Sequence, residues 1–176
     1  MNKEYIIIAF TENQIGVLNR ITVCYLRRKI NIESLKVSES SIKGISMFVI
    51  SAFTTKEKIE KIANQIRKII DVIQVDYYTP DELITQEIAL YKISSKFLKG
   101  NNRIDSLSRS ISARLIEINP EYVVMEKTGT REEIEALRDQ LGQQGMLQEF
   151  TRSGSVVLHR ASINDILMEK IEEQEE

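Results

Sequence analysis

The sequence predicts an α+β fold built from two tandem βαββαβ units, and three observations predict it. Short apolar runs of strand length alternate with stretches whose apolar residues recur at helical spacing. The order strand, helix, strand, strand, helix, strand occurs once before Pro80 and again after Gln86. The 176 residues, 42% of them hydrophobic, suffice for two small cores.

The first unit opens on Tyr5-Ile6-Ile7-Ile8-Ala9-Phe10, an Ile-rich run of strand length. Thr11-Glu12-Asn13-Gln14 breaks it, and residues 15–28 turn helical, with Leu18, Ile21 and Tyr25 on one face and Val17, Cys24 and Arg28 beside it. Residues 31–38 form a second strand and 46–53 a third, joined by a hairpin at Ile42-Lys43-Gly44. Thr55 is the expected N-cap of the next helix, with Lys58 where a capping box wants Glu or Gln. Ile59, Ile62, Ala63, Ile66 and Ile70 make its apolar stripe. Residues 72–78 form the fourth strand, ended by Pro80, which has no N–H for a ladder.

The second unit repeats this order. Residues 88–94 form a strand, Gly100-Asn101-Asn102 a turn, and Ile104, Leu107, Ile111 and Leu115 a helical stripe. Residues 115–118 and 122–126 pair as a hairpin around Asn119-Pro120. A helix with Ile134, Leu137 and Leu141 follows, with Gly142 and Gly145 as candidate C-caps. Residues 150–159 close the sheet, interrupted at Ser153-Gly154. Two helices on one face of a four-stranded sheet make a ferredoxin-like sandwich, here written twice. The expected domains are residues 1–80 and 84–160, followed by a helical or disordered acidic tail at 161–176 with Ile163, Ile166, Leu167 and Lys170.

Composition narrows the function. With 24 basic against 26 acidic side chains and a net charge of −2, the chain lacks the basic excess of a nucleic-acid binder. No run approaches the ~18 apolar residues that cross a bilayer. Met1-Asn2-Lys3-Glu4 runs straight into a strand-like stretch, so no cleavable export signal is expected. A single cysteine, Cys24, fits a reducing cytoplasm. His159, the only histidine, has no companion at metal-ligand spacing. Cys24 has no histidine partner and reads as a buried, inert thiol. Neither Gly129 nor Gly154 lies in a phosphate-binding loop. Catalytic and metal residues are therefore expected to be absent.

Two stretches are more specific. Asn13-Gln14-Ile15-Gly16-Val17-Leu18 joins the first strand to the first helix, and Asn31-Ile32-Glu33-Ser34-Leu35 opens the second strand. Together they resemble the ACT domain, a small-molecule sensor fold, as found in the small subunit of acetolactate (acetohydroxyacid) synthase. Thr128-Gly129-Thr130-Arg131-Glu132-Glu133-Ile134 and Arg152-Ser153-Gly154-Ser155-Val156-Val157-Leu158 resemble that subunit's C-terminal domain.

The resemblance implies a homodimer whose ACT sheets meet side by side, with valine or another branched-chain amino acid at the seam. It places effector contacts at Asn13, Gly16, Val17 and Leu18 of one protomer and at Asn31 and Ile32 of the other. It implies a regulatory chain, without cofactors of its own, that activates a catalytic large subunit and makes it sensitive to feedback inhibition. That partner carries thiamine diphosphate, magnesium and FAD. The residues suit the role. Backbone N–H groups at the start of a helix favour a carboxylate, glycine admits close approach, and two asparagine amides match a zwitterion without adding charge. Lys29-Ile30 stands where many relatives have a glycine and an aromatic residue, so the first helix must close without glycine. Ile15 and Val17 are bulkier than the small residues often found there, which implies a narrower pocket. A chain cut after Pro80 is expected to bind ligand and to activate weakly.

Two other classes are weighed against this reading. A stand-alone ACT-domain amino-acid sensor or transcriptional regulator would need a DNA-reading element, and no basic recognition helix occurs. A small acyl-phosphate hydrolase would need an arginine in residues 11–14, which have none.

Overall fold

The structure, a computed structural model, describes residues 2–97 and 103–160. The tail at 161–176 and the expected turn at Gly100-Asn101-Asn102 lie outside the described residues. The described residues divide into two compact units, 2–85 together with 157–160, and Gln86–Val156.

In the first unit, β1 (Lys3–Glu12), β2 (Ser34–Glu39), β3 (Ile45–Thr54) and β4 (Val72–Tyr78) form one antiparallel sheet in the order β2-β3-β1-β4. β1 is central because its apolar run has no polar face to give to water, so it needs a neighbour on each side and cover on both faces. Tyr5, Ile7 and Ala9 pack against α1 (Val17–Leu26) and α2 (Lys56–Ile66). Ile6, Ile8 and Phe10, on the other face, pack with Val49, Leu83 and Val157. Ile59, Ile62, Ala63 and Ile66 of α2 are fully buried, as their spacing predicts. Ile70 does not join them: α2 ends at Ile66 and Ile70 is 91% exposed. Thr55 is the N-cap, but its side chain makes no capping bond.

The buried stripe of α1 is Val17, Ile21, Cys24 and Tyr25. Leu18, expected beside Ile21 and Tyr25, is instead exposed. The helix also starts two residues later than expected, leaving Ile15 in solvent. Its far end closes without glycine. Lys29 takes φ 53, the Lys29 N–H donates to the Leu26 carbonyl and the Ile30 N–H to the Tyr25 carbonyl. This is the closing pattern usually given to glycine. The left-handed conformation disfavours a side chain by roughly 1–2 kcal/mol, and glycine's extra freedom in the unfolded chain offsets about half of that. Lys29→Gly is therefore expected to raise unfolding stability by about 0.5–1 kcal/mol, measured by urea denaturation.

In the second unit, β5 (Leu83–Ser94), β6 (Arg114–Ile118), β7 (Tyr122–Gly129) and β8 (Leu147–Arg152) pair in the order β6-β7-β5-β8, the same topology. Its core gathers Ala89, Tyr91 and Ile93 with Val123 and Met125 of β7 and Ile134, Leu137 and Leu141 of α4 (Arg131–Gln143). Ile104 and Leu107 of α3 (Arg103–Ser110), with Ile111 just beyond it, pack against that core half-buried. Leu115 belongs to β6, not to the helical stripe. Thr130 and Glu133 form a full capping box at the start of α4. Of the two glycines at its end, Gly145 takes positive φ and Gly142 stays within the helix. The predicted twofold ferredoxin-like plan is what the structure shows.

Residues 150–159 divide at the interruption expected at Ser153-Gly154, and both pieces pair with β5 of the second sheet. β8 stops at Arg152, and β9 (Val156–His159) pairs with β5, its residues from Val157 belonging to the first unit. Glu87, 2% exposed, fixes the bend between them: it accepts from Arg152 Nη1 and from Ser155 Oγ, both at 2.8 Å. A buried carboxylate persists because both partners compensate its lost hydration.

Candidate functional site

The loop between β1 and α1 carries the predicted asparagine and glycine. The Asn13 N–H donates to the Gly44 carbonyl (3.0 Å) and the Gln14 N–H to the Glu12 carbonyl (2.9 Å), which holds the loop against the β2–β3 hairpin. Gly16 then takes φ 89 and begins α1. No side chain caps this helix and no acidic residue stands in its first turn, so its N–H groups and the positive end of its dipole remain available. An added Cβ at Gly16 would meet nothing within 4 Å, so a ligand can approach the backbone there.

A cavity of ≈ 170 Å³ opens beneath that helix start. Asn13, Gln14, Gly16, Val17 and Leu18 form its wall, and Thr11, Val37, Ser46 and Phe48 line it from the sheet. The register explains the floor: Thr11 faces Ser46, Ala9 faces Phe48, and Phe48 faces Val37 on β2. Four of the six predicted effector residues, Asn13, Gly16, Val17 and Leu18, therefore share one cavity. Val17 is also fully buried in the core. Ile15 is not part of the lining, so its bulk does not narrow the space.

Asn31 and Ile32 lie elsewhere. Asn31 is exposed ahead of β2, and Ile32 is half-buried against the core. Neither lines this cavity. Thr11, Val37, Ser46 and Phe48 were missed by the sequence reading. The one available signal was Ser34-Leu35-Lys36-Val37-Ser38, where every second residue is apolar.

β2 is the last strand of its sheet, with β3 its only partner among the described residues. Its Leu35 and Val37 are both exposed, as are Ile15 and Leu18 where α1 begins. A free edge lined by aliphatic side chains is an association surface.

Comparison with known proteins identifies the family. Residues 7–74 match the family model for the small-subunit-like ACT domain of acetohydroxyacid synthase, and residues 86–161 the model for the small subunit of acetolactate synthase. A probable acetolactate synthase small subunit of Methanothermobacter thermautotrophicus is 30% identical over 158 residues, covering 90% of this chain and 94% of that protein. The chain belongs to the acetolactate synthase small-subunit family. The Bacillus subtilis small subunit is likewise 30% identical, over 151 residues, covering 85% of this chain and 87% of its own length. The crystal structure of the Thermotoga maritima small subunit superposes with a TM-score of 0.77 at 28% identity, covering 91% of this chain and 99% of that one.

Burial pushes the Cys24 thiol up from its ordinary pKa, so it stays a protonated, weak nucleophile. The His159 ring stacks on Tyr78 at 4.8 Å between centroids. Among the described residues, no group of three or more His, Cys, Asp or Glu could hold a metal ion, and no helix is long and apolar enough to cross a membrane.

Proposed function

We propose that this chain is a non-catalytic regulatory subunit that binds a branched-chain amino acid at its dimer seam and controls an acetolactate synthase catalytic subunit. The observation that carries the effector reading is the cavity under the uncapped start of α1, opening beside the free edge of β2. The helix start suits a carboxylate, the Asn13 amide and the Glu12 carboxylate supply acceptors for an ammonium group, and Val37, Phe48 and Leu18 suit an aliphatic side chain.

A dimer completes the site. Edge strands that pair antiparallel about a twofold axis bring the start of one beside the end of the other. Asn31 and Ile32 precede β2, while Val37 lies near its end and lines the cavity. Such pairing carries the partner protomer's copy of the Asn31 loop towards this protomer's cavity. The separation of Asn31 and Ile32 from the other four residues within one chain is thus what a seam site requires. The bound amino acid would couple to the partner enzyme through the dimer, and a coupling of ~1–3 kcal/mol corresponds to a 5–150-fold change in response.

The test is to mix the chain with the catalytic large subunit of the same organism and titrate valine, leucine and isoleucine. The expected result is raised activity in the mixture, reduced by at least one of the three. An unchanged rate on mixing contradicts the subunit assignment. A raised rate that none of the three amino acids alters contradicts the effector assignment alone.

A further inference from the structure

We infer that Phe48 is a specificity-determining residue of the cavity, a fixed floor that admits the side chain of valine and disfavours the longer one of leucine. The inference rests on the reading of the cavity as a branched-chain amino-acid site and names what sorts the members of that class within it. The lining divides into parts that can yield and one that cannot. Leu18 and Val37, each 44% exposed, stand at the rim, where a side chain changes rotamer freely. Phe48 is 3% exposed and belongs to the core that the first sheet shares with α1 and α2. Its register places it between Ala9 of β1 and Val37 of β2. The other floor residues, Thr11, Ser46 and Val37, are all smaller, so the Phe48 ring is the largest side chain there. A ring packed in this way gives ground only by straining its neighbours.

An effector whose carboxylate sits at the α1 N-terminus directs its side chain towards this floor, within a space of ≈ 170 Å³. Valine branches at Cβ and ends at Cγ. Leucine branches one carbon further out and carries its two methyl groups at Cδ, the depth at which a fixed floor is met. One methylene in an apolar pocket is worth about 10–200-fold in affinity. Where the wall cannot move, the extra carbon forfeits that gain and adds strain. L-Valine and L-leucine share charge and polarity and differ in reach, so their ratio reads the depth of the cavity.

Calorimetry on the full chain measures both affinities for the wild type, Phe48→Leu and Phe48→Met. Leu removes ring carbons from the floor, and Met replaces the rigid ring with a flexible chain that can move aside. The wild type is expected to bind valine roughly 10-fold or more tightly than leucine. Both variants are expected to raise the leucine-to-valine affinity ratio, Phe48→Leu by roughly 10-fold or more. General damage to the core lowers both affinities together and leaves the ratio unchanged, so the ratio separates a floor from a merely structural ring. A ratio within about 2-fold of wild type in the variants, with valine bound, overturns the role of Phe48 and leaves the amino-acid site standing. A wild type that binds leucine as tightly as valine does the same. Failure of the wild type to bind either amino acid overturns the site reading and this inference with it. Two variants keep the test decisive if one does not fold.

Discussion

Gly16→Asp is expected to leave a folded protein that no longer responds to valine. An added Cβ at position 16 meets nothing within 4 Å. The cost to the fold is conformational, about 1–2 kcal/mol for a side chain at φ 89. The cost to binding is larger. The carboxylate stands where the effector's carboxylate would sit and takes the helix N–H groups for itself, as an N-cap aspartate does. Loss of a charge-assisted hydrogen bond together with like-charge repulsion lowers valine affinity by roughly 100-fold or more. Gly16→Asn is the informative companion, because asparagine tolerates positive φ and carries no charge. Calorimetry on both variants separates strain from electrostatics. Asn is expected to bind valine better than Asp, and equal losses would show that charge is not what the helix start recognises.

The second large effect concerns the boundary between the units. Sequence alone suggests that a chain cut after Pro80 keeps its ligand site, but the structure gives a reason to expect otherwise. Ile6, Ile8, Phe10 and Val49 are covered by Leu83 and Val157, and both are lost in that fragment. Removing one buried leucine side chain costs about 2–5 kcal/mol, against a typical domain stability of ~5–15 kcal/mol. The fragment 1–80 is expected to aggregate or to unfold several kcal/mol more easily than the full chain. Leu83→Ala in the full chain isolates part of the effect, with an expected loss of about 2–5 kcal/mol in urea denaturation. A monodisperse 1–80 fragment of undiminished stability would show that the cover is dispensable.

The sequence made some of this plain. α2 was legible because four Ile and Ala residues repeat at helical spacing among charged ones, leaving one possible face. β1 was legible because an unbroken Ile run of that length has few other uses. α1 was harder. Its apolar residues nearly encircle it, so Val17 and Leu18 could each claim the buried stripe, and only packing against the sheet decided for Val17. The break at Ser153-Gly154 was legible, but the membership of the residues from Val157 in the first unit was not, because which distant elements a short β-prone run joins is a tertiary choice. The site divided in the same way. Its wall, Asn13 to Leu18, is contiguous in the chain and so carries a motif. Its floor, Thr11, Val37, Ser46 and Phe48, is assembled by strand register and leaves no contiguous signature.

A crystal structure of the dimer grown with L-valine tests the central claim most directly. The account predicts two protomers paired through β2, with valine density against the first turn of α1 and the partner's Asn31 within hydrogen-bond reach of it. A valine-saturated crystal in which the β2 edges are apart and this recess is vacant would contradict it.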